Sequence, residues 1–268
     1  MRKNLYLIGF FLLISVSTFA QANKRIVSLA ASITRNLTEL GAQKEIVGCT
    51  KYCQTDPANS IPVVADAINV NLEKITLLKP DIVIAGGLTT PRTIEALKKM
   101  GIQTLQLQQP KNFEELCNQF TLLGKISGKE QEANRIITSC KQRLTAIRNN
   151  LPSKSPKVFM EIGNNPLFAA LPGTFMHDYI VQAGGNNIAT TLSNGSVSKE
   201  FVILQDPDII LITAMGIAGD TEKRNWQKLN FLRAVKNDKI YTLPDDICSP
   251  TPTSFINTVD ELSRLLQK

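Results

Sequence analysis

Short apolar runs alternate with amphipathic stretches along most of the chain. The runs Arg25 to Leu29, Glu45 to Cys49, Ile82 to Ala85 and Thr104 to Leu107 predict strands, and Leu37 to Leu40 and Ile94 to Met100 between them predict helix. Successive residues in these runs are apolar, so both faces should be covered, as in parallel sheets packed under helices. Beyond Pro152 the same grammar restarts. Lys157 to Ile162, Ile209 to Ile212 and Ile240 to Leu243 predict strands, and Phe175 to Ala183 and Thr258 to Leu266 predict helices. Between the two sets lies "GKEQEANRIITSCKQRLTAIRNN", whose Ala133, Ile136, Ile137, Cys140, Leu144 and Ile147 recur at helical spacing. A helix of about 23 residues spans on the order of 35 Å at a rise of ~1.5 Å per residue. Gly128 before it and "LPSKSP" after it punctuate its ends. The pattern predicts two α/β lobes, residues 23–126 and 152–268, joined by one long helix in 127–151. Such a helix is stiffer than a pair of extended linkers, so small openings of a cleft are expected rather than wide closure. A helix inside a single domain would carry the same stripe and remains the alternative.

One unit of this grammar occurs twice. "LEKITLLKPDIVIAG", from Leu72, and "KEFVILQDPDIILIT", from Lys199, align on their Pro-Asp pairs, with Glu73 and Glu200 each seven positions before the proline. Asn71 and Ser198, two residues before each glutamate, are helix N-cap types, and a carboxylate in the first turn complements the positive end of the helix dipole. Each unit therefore reads as cap, acidic first turn, short helix, proline stop and buried strand.

The chain has 268 residues, 43% of them hydrophobic and 20% charged, an ordinary globular balance. Its opening, "MRKNLYLIGFFLLISVSTFAQA", has two early cations, an uncharged stretch from Leu5 to Phe19 and an Ala-x-Ala site at Ala20 to Ala22. This predicts a cleavable signal peptide over 1–22, because the apolar stretch is shorter than the roughly 20 residues that a membrane-spanning helix needs. Cleavage would lower the formal net charge of +7 by two. The remaining cations are scattered, which argues against a nucleic-acid partner. Five cysteines, Cys49, Cys53, Cys117, Cys140 and Cys248, are too few and odd in number for a disulfide scaffold. Cys49 and Cys53 read as packed thiols or a bridge rather than a metal clip, since the one histidine, His177, is remote in sequence.

An exported hydrolase would need an activated nucleophile. The chain has no Gly-x-Ser-x-Gly, and His177 would have to serve any triad, with Asp178 beside it in sequence. "TFMHDYI" instead reads as a helix start that His177 caps or packs. Trp226 stands in the charged "EKRNWQKLN" and reads as surface. No catalytic residues, resident cofactor or metal site are expected. A receptor for bare zinc or manganese would need several convergent histidines or carboxylates.

The series "RIVSLAASITRNLTELGAQKEIVGCTKYC", "NLEKITLLKPDIVIAGG", "GTFMHDYIVQAGGNNIA", "SKEFVILQDPDIILIT" and "LRAVKNDKIYTLPDD" resembles the periplasmic binding proteins of ABC importers for vitamin B12, ferric siderophores and haem. The similarity runs, in order, over essentially the whole chain after the opening segment. It implies two Rossmann-like lobes on one backbone helix, a ligand in the cleft, a periplasmic monomer, and an ABC permease dimer as partner. It also implies that Glu73 and Glu200 dock on arginines of that permease, one from each lobe.

The ligand is expected outside the C-terminal ends of the strands. Ser32 beside Ala31, Lys51, Tyr52, Gly86, Gly87, Asn165 and Phe168 within Asn164 to Phe168, and Asp246 beside Asp245 stand at such ends. The glycines would let a bulky ligand approach the backbone, or would simply make turns. "VGCTKYC" most resembles the vitamin B12 branch, which implies a corrin contact for Tyr52. The tryptophans that precede the docking units in that branch are absent from "VADAIN" and "SNGSV". A corrinoid is the expected ligand, with a ferric siderophore or haem as the alternative. Haem would call for an axial ligand, and Tyr52 and His177 are the side chains of that type.

Overall fold

The computed structural model describes residues 24–53, 60–66, 69–213 and 219–268, with the backbone alone of Asp245 and Asp246. The segment read as a signal peptide lies outside the described residues.

The N-terminal lobe runs β1 (Ile26–Leu29), α1 (Ala31–Glu39), β2 (Ile46–Thr50), β3 (Val63–Ala65), α2 (Leu72–Leu77), β4 (Ile82–Ala85), α3 (Pro91–Lys99) and β5 (Thr104–Gln106). Its five strands stand in the order β3-β2-β1-β4-β5, and every pairing is parallel. The apolar runs that predicted strands are buried throughout β1 and β4. Two helices follow, α4 (Phe113–Ser127) and α5 (Glu130–Asn149). Gly128 separates them at φ 71°, a left-handed C-cap that suits a residue without Cβ.

The C-terminal lobe comprises β6 (Lys157–Asn164), β7 (Leu167–Ala169), α6 (Phe175–Gln182), β8 (Asn186–Asn187), α7 (Lys199–Gln205), β9 (Ile209–Thr213), α8 (Gly219–Gln227), α9 (Arg233–Lys236), β10 (Ile240–Leu243) and α10 (Pro252–Gln267). Its sheet has the order β10-β9-β6-β7, with β8 beside β6. The β6 to β7 hairpin is antiparallel, so this sheet is mixed where the first is purely parallel. A two-residue connection such as Asn165-Pro166 can join only antiparallel neighbours.

One apolar core crosses both lobes. Ile26, Ile84, Phe113 and Phe120 share a continuous buried cluster with Ile136 and Cys140 of α5 and with Met160, Tyr179 and Phe255 of the second lobe. Phe255 stacks on Phe113 at 5.1 Å between ring centroids and on Tyr179 at 4.4 Å, tying α10 to α4 and α6. The lobes also meet at α1. Asn36 Nδ2 donates to the Pro250 carbonyl at 3.2 Å, Arg35 Nη1 to the Ser249 carbonyl at 3.0 Å, and Thr253 Oγ1 to Glu39 Oε1 at 2.5 Å.

Trp226 corrects the surface reading of its segment. It is fully buried on α8, edge-on to Phe159 at 5.7 Å, and its Nε1 donates to Glu161 at 2.6 Å. A lone apolar residue in a charged helix shows no periodicity, so its inward face was not legible.

Candidate functional site

The C-terminal edge of the N-terminal sheet opens into a cavity of about 270 Å³. Open α/β sheets place ligands at that edge. Leu29 ends β1 and Ala30 to Ile33 follow it, Thr50 ends β2 with Tyr52 just beyond, Ala65 ends β3 with Asp66 after it, Gly86 to Thr89 follow β4, and Leu107 to Pro110 follow β5. Ser249 and Pro250, which lead into α10, close the wall from the second lobe. Apart from Asp66, the polar side chains of that lining are uncharged: Ser32, Asn36, Thr50, Thr89, Gln108, Gln109, Gln119 and Ser249, with the phenol of Tyr52. Among the described residues no lysine, arginine or histidine lines it.

Asn36 is held from two sides. Its Nδ2 donates to the Ser32 carbonyl at 2.8 Å and to Pro250, while its Oδ1, buried at the cavity wall, has no partner among the described residues. An unpaired buried acceptor is costly and is satisfied by a ligand or water that brings an N–H or O–H.

Four of the residues expected from the strand-end rule line the cavity: Ser32, Tyr52, Gly86 and Gly87. Tyr52 stands at the rim, 55% exposed. Lys51 is not in the lining, because its Nζ lies over the Tyr52 ring, 5.1 Å from the centroid. Asn165 is exposed in the β6 to β7 hairpin, and Phe168 lies beside Gly163 and Gly195, so neither reaches the cavity of the first lobe. Asp246 lies in a short 3-10 turn, Asp245–Cys248, and its side chain is outside the described residues. Packing by itself requires Gly86, since a Cβ there would come within 2.9 Å of the Ala30 Cβ. Asn36 and Gln108 were open to sequence reading: Asn36 is one helical turn beyond Ser32, and Gln108 follows a predicted strand.

His177 lies away from this cavity. Thr174 accepts its backbone N–H, its Nδ1 is 3.0 Å from Asn187 Nδ2, and burial holds its pKa below the usual imidazole range, with Asp178 opposing. Its place is packing at the start of α6. Near the site, Cys53 Sγ lies 3.0 Å from Thr34 Oγ1 and 3.3 Å from Thr50 Oγ1. A hydrogen bond from Cys49, joined by these hydroxyls, lowers the Cys53 thiol to about 6 against the opposing effect of burial. The described residues contain no group of three or more His, Cys, Asp or Glu placed to hold a metal ion.

Glu73 and Glu200 are exposed in the first turns of α2 and α7. Asn71 Oδ1 accepts the Lys74 N–H, and Ser198 Oγ accepts that of Phe201, as the cap reading expected. A helix that leads back into a parallel sheet runs antiparallel to the strand after it, so each glutamate, at a helix start, lies toward the C-terminal edge of its own sheet, and for Glu73 that is the edge that carries the cavity. Hydrogen bonds from its own backbone N–H and from Ser198 hold Glu200 below the usual carboxylate range.

The profile of the periplasmic binding protein family matches residues 26–247. The chain belongs to that family. A vitamin B12-binding protein of Vibrio cholerae is 28% identical over 265 residues, 96% of this chain and 95% of its own length. The crystal structure of a periplasmic vitamin B12 binding protein from Vibrio cholerae superposes with a TM-score of 0.76 at 27% identity, covering 92% of this chain and 98% of that one. A periplasmic haem-binding protein of the same organism reaches a TM-score of 0.82 at 20% identity over 91% of this chain and 99% of its own, and shares the fold. The relatives are transport receptors, and the two lobes on a connecting helix are the fold of the family.

Proposed function

We propose that the protein is an exported, monomeric receptor that captures a corrinoid at the cavity of its first lobe and delivers it to an ABC permease through Glu73 and Glu200, performing no chemistry itself. The observation that carries the ligand choice is a lining that has no cation among the described residues and, apart from Asp66, only uncharged polar side chains. A corrin periphery is rich in neutral acetamide and propionamide groups, which exchange hydrogen bonds with serine, threonine, asparagine and glutamine side chains. The carboxylates of haem and the anionic groups of many siderophore chelates would need cationic partners, and the described lining offers none. A cavity of about 270 Å³ admits one edge of so large a ligand, leaving the rest to the cleft mouth beside Tyr52. The paired glutamates suit a partner with two similar faces, since carboxylate to arginine pairs fix orientation.

Titration calorimetry with cobalamin, cobinamide, haem and a ferric siderophore tests the ligand, with one corrinoid per chain expected. Binding of haem or siderophore alone would overturn the corrinoid choice and leave transport standing. Tyr52→Ala should weaken corrinoid binding by about 1 to 3 kcal/mol, the scale of a lost aromatic contact.

A further inference from the structure

The two docking units are duplicates in three dimensions, equivalent residues from Leu72 and Lys199 onward being 127 positions apart, while the strand residues that they clamp, Arg25 and Lys157, come from outside the repeated stretch. The Asp81 carboxylate accepts the backbone N–H of Arg25 at 2.7 Å, and Asp208 accepts that of Lys157 at 2.8 Å. Arg25 Nη2 donates to the Leu78 carbonyl at 2.7 Å, and Lys157 Nζ to the equivalent Gln205 carbonyl at 3.1 Å. Lys79 and Asp206 share φ 45° at the helix exit, and Ile75 and Val202 are both fully buried.

Within the ten residues from helix start to Pro-Asp, four are identical in the two copies: Glu73 and Glu200, Leu77 and Leu204, Pro80 and Pro207, Asp81 and Asp208. Proline stops the helix and the aspartate clamps the strand, so the fold accounts for two of the four pairs. Glutamate has the docking role proposed above. The leucines, 75% and 83% exposed, bury almost nothing in the fold, while the positions beside them have diverged, from exposed Lys74 and Thr76 in the first copy to half-buried Phe201 and Ile203 in the second. Leu77 follows Glu73 by four residues and Leu204 follows Glu200 by four, so each leucine shares a helix face with its glutamate.

We infer that Leu77 and Leu204 are the apolar half of a duplicated docking surface, whose partner is a two-fold related membrane permease presenting, twice, an apolar depression beside a cationic side chain. This rests on the reading of Glu73 and Glu200 as permease contacts. The repetition fits the two-fold partner, because two subunits with the same face require the same pair of groups from both lobes. The continuous core holds the two knobs at a fixed separation. An exposed leucine is ordinary when single; the same carboxylate and leucine on two lobes are not.

The test uses the full mature protein and its cognate permease complex in nanodiscs, with Leu77→Ala, Leu204→Ala, the double variant, Glu73→Ala with Glu200→Ala, and Val181→Ala as an exposed apolar control on α6. Each leucine change should weaken permease binding about tenfold and the pair about a hundredfold, with ligand affinity and melting temperature unchanged. The leucine loss should be the same at low and high salt, whereas the glutamate loss should shrink with salt. If the glutamate pair weakens docking and the leucine pair does not, the inference fails alone. If neither pair matters, the docking reading fails and takes the inference with it. Equal loss in Val181→Ala would mean nonspecific adhesion and would also overturn it.

Discussion

Glu161 on β6 is fully buried, accepts from Trp226 Nε1 through one oxygen, and has no partner for the other among the described residues. Burial raises its pKa from 4.5 to about 7; Glu222 adds to the rise, while the Trp226 hydrogen bond and Lys199 oppose it. The folded chain therefore binds this proton more tightly than the unfolded one. That stability is fully present below the unfolded value of 4.5 and is lost as pH rises through about 7. The loss amounts to ~3 kcal/mol at most. Glu161→Gln keeps an acceptor for the indole, so the fall in urea midpoint between about pH 5 and 8 should flatten in the variant. An unchanged slope would assign the dependence to another group. A second residue-scale prediction concerns Cys53, whose thiol is lowered to about 6 while burial raises Cys117 to about 12. Iodoacetamide at about pH 7 should label Cys53 ahead of Cys117, and peptide mass mapping against time reads the order.

Helices and strands carry their causes locally, which is why most of them were legible. The runs Ile82–Ala85 and Ile240–Leu243 stand as strands with the bounds expected from apolar patterning, and the connecting helix is α5, Glu130–Asn149, inside the expected 127–151. α1 begins at Ala31, well before the predicted Leu37, because Ile33 is the one large apolar residue before Leu37 and no side-chain cap announces the start. β3 and β7 have three residues each, too few to show a period. α4 is also clear in hindsight, with Phe113, Leu116, Cys117, Phe120 and Leu123 buried at helical spacing behind the Asn112 cap. The site was half legible for a related reason: strand ends found Ser32 and Tyr52, but nothing local says that the second lobe contributes Ser249 and Pro250. The strand clamps make a test at this scale. Asp81→Ala should cost about 1 kcal/mol by freeing the Arg25 N–H. Asp208→Ala should cost more, because Arg233 Nη1, 2.8 Å away, loses its ion pair as well as Lys157 losing its acceptor. Chemical denaturation of both variants checks the order.

At the scale of the molecule, the decisive feature is that the lobes share one core. The Phe113, Phe255 and Tyr179 stack joins α4, α10 and α6, and α5 contributes Ile136, Cys140 and Leu144 to the same cluster. Opening the cleft widely would expose that surface, at about 25 cal/mol for each Å². Ligand capture by large hinge motion is therefore disfavoured, and the cleft should admit ligand through small movements around the rim at Tyr52. Two measurements follow from the shared core. Heating should give a single cooperative transition reported equally by probes in either lobe, and Phe255→Ala should lower it as a whole, by about 3 to 5 kcal/mol, rather than split it into two steps. Small-angle scattering should show the radius of gyration changing by less than about 1 Å on saturation with ligand. Two resolved transitions, or a contraction of several ångströms, would mean that the lobes fold and move as separate bodies and that the stack joining them is not what holds the cleft.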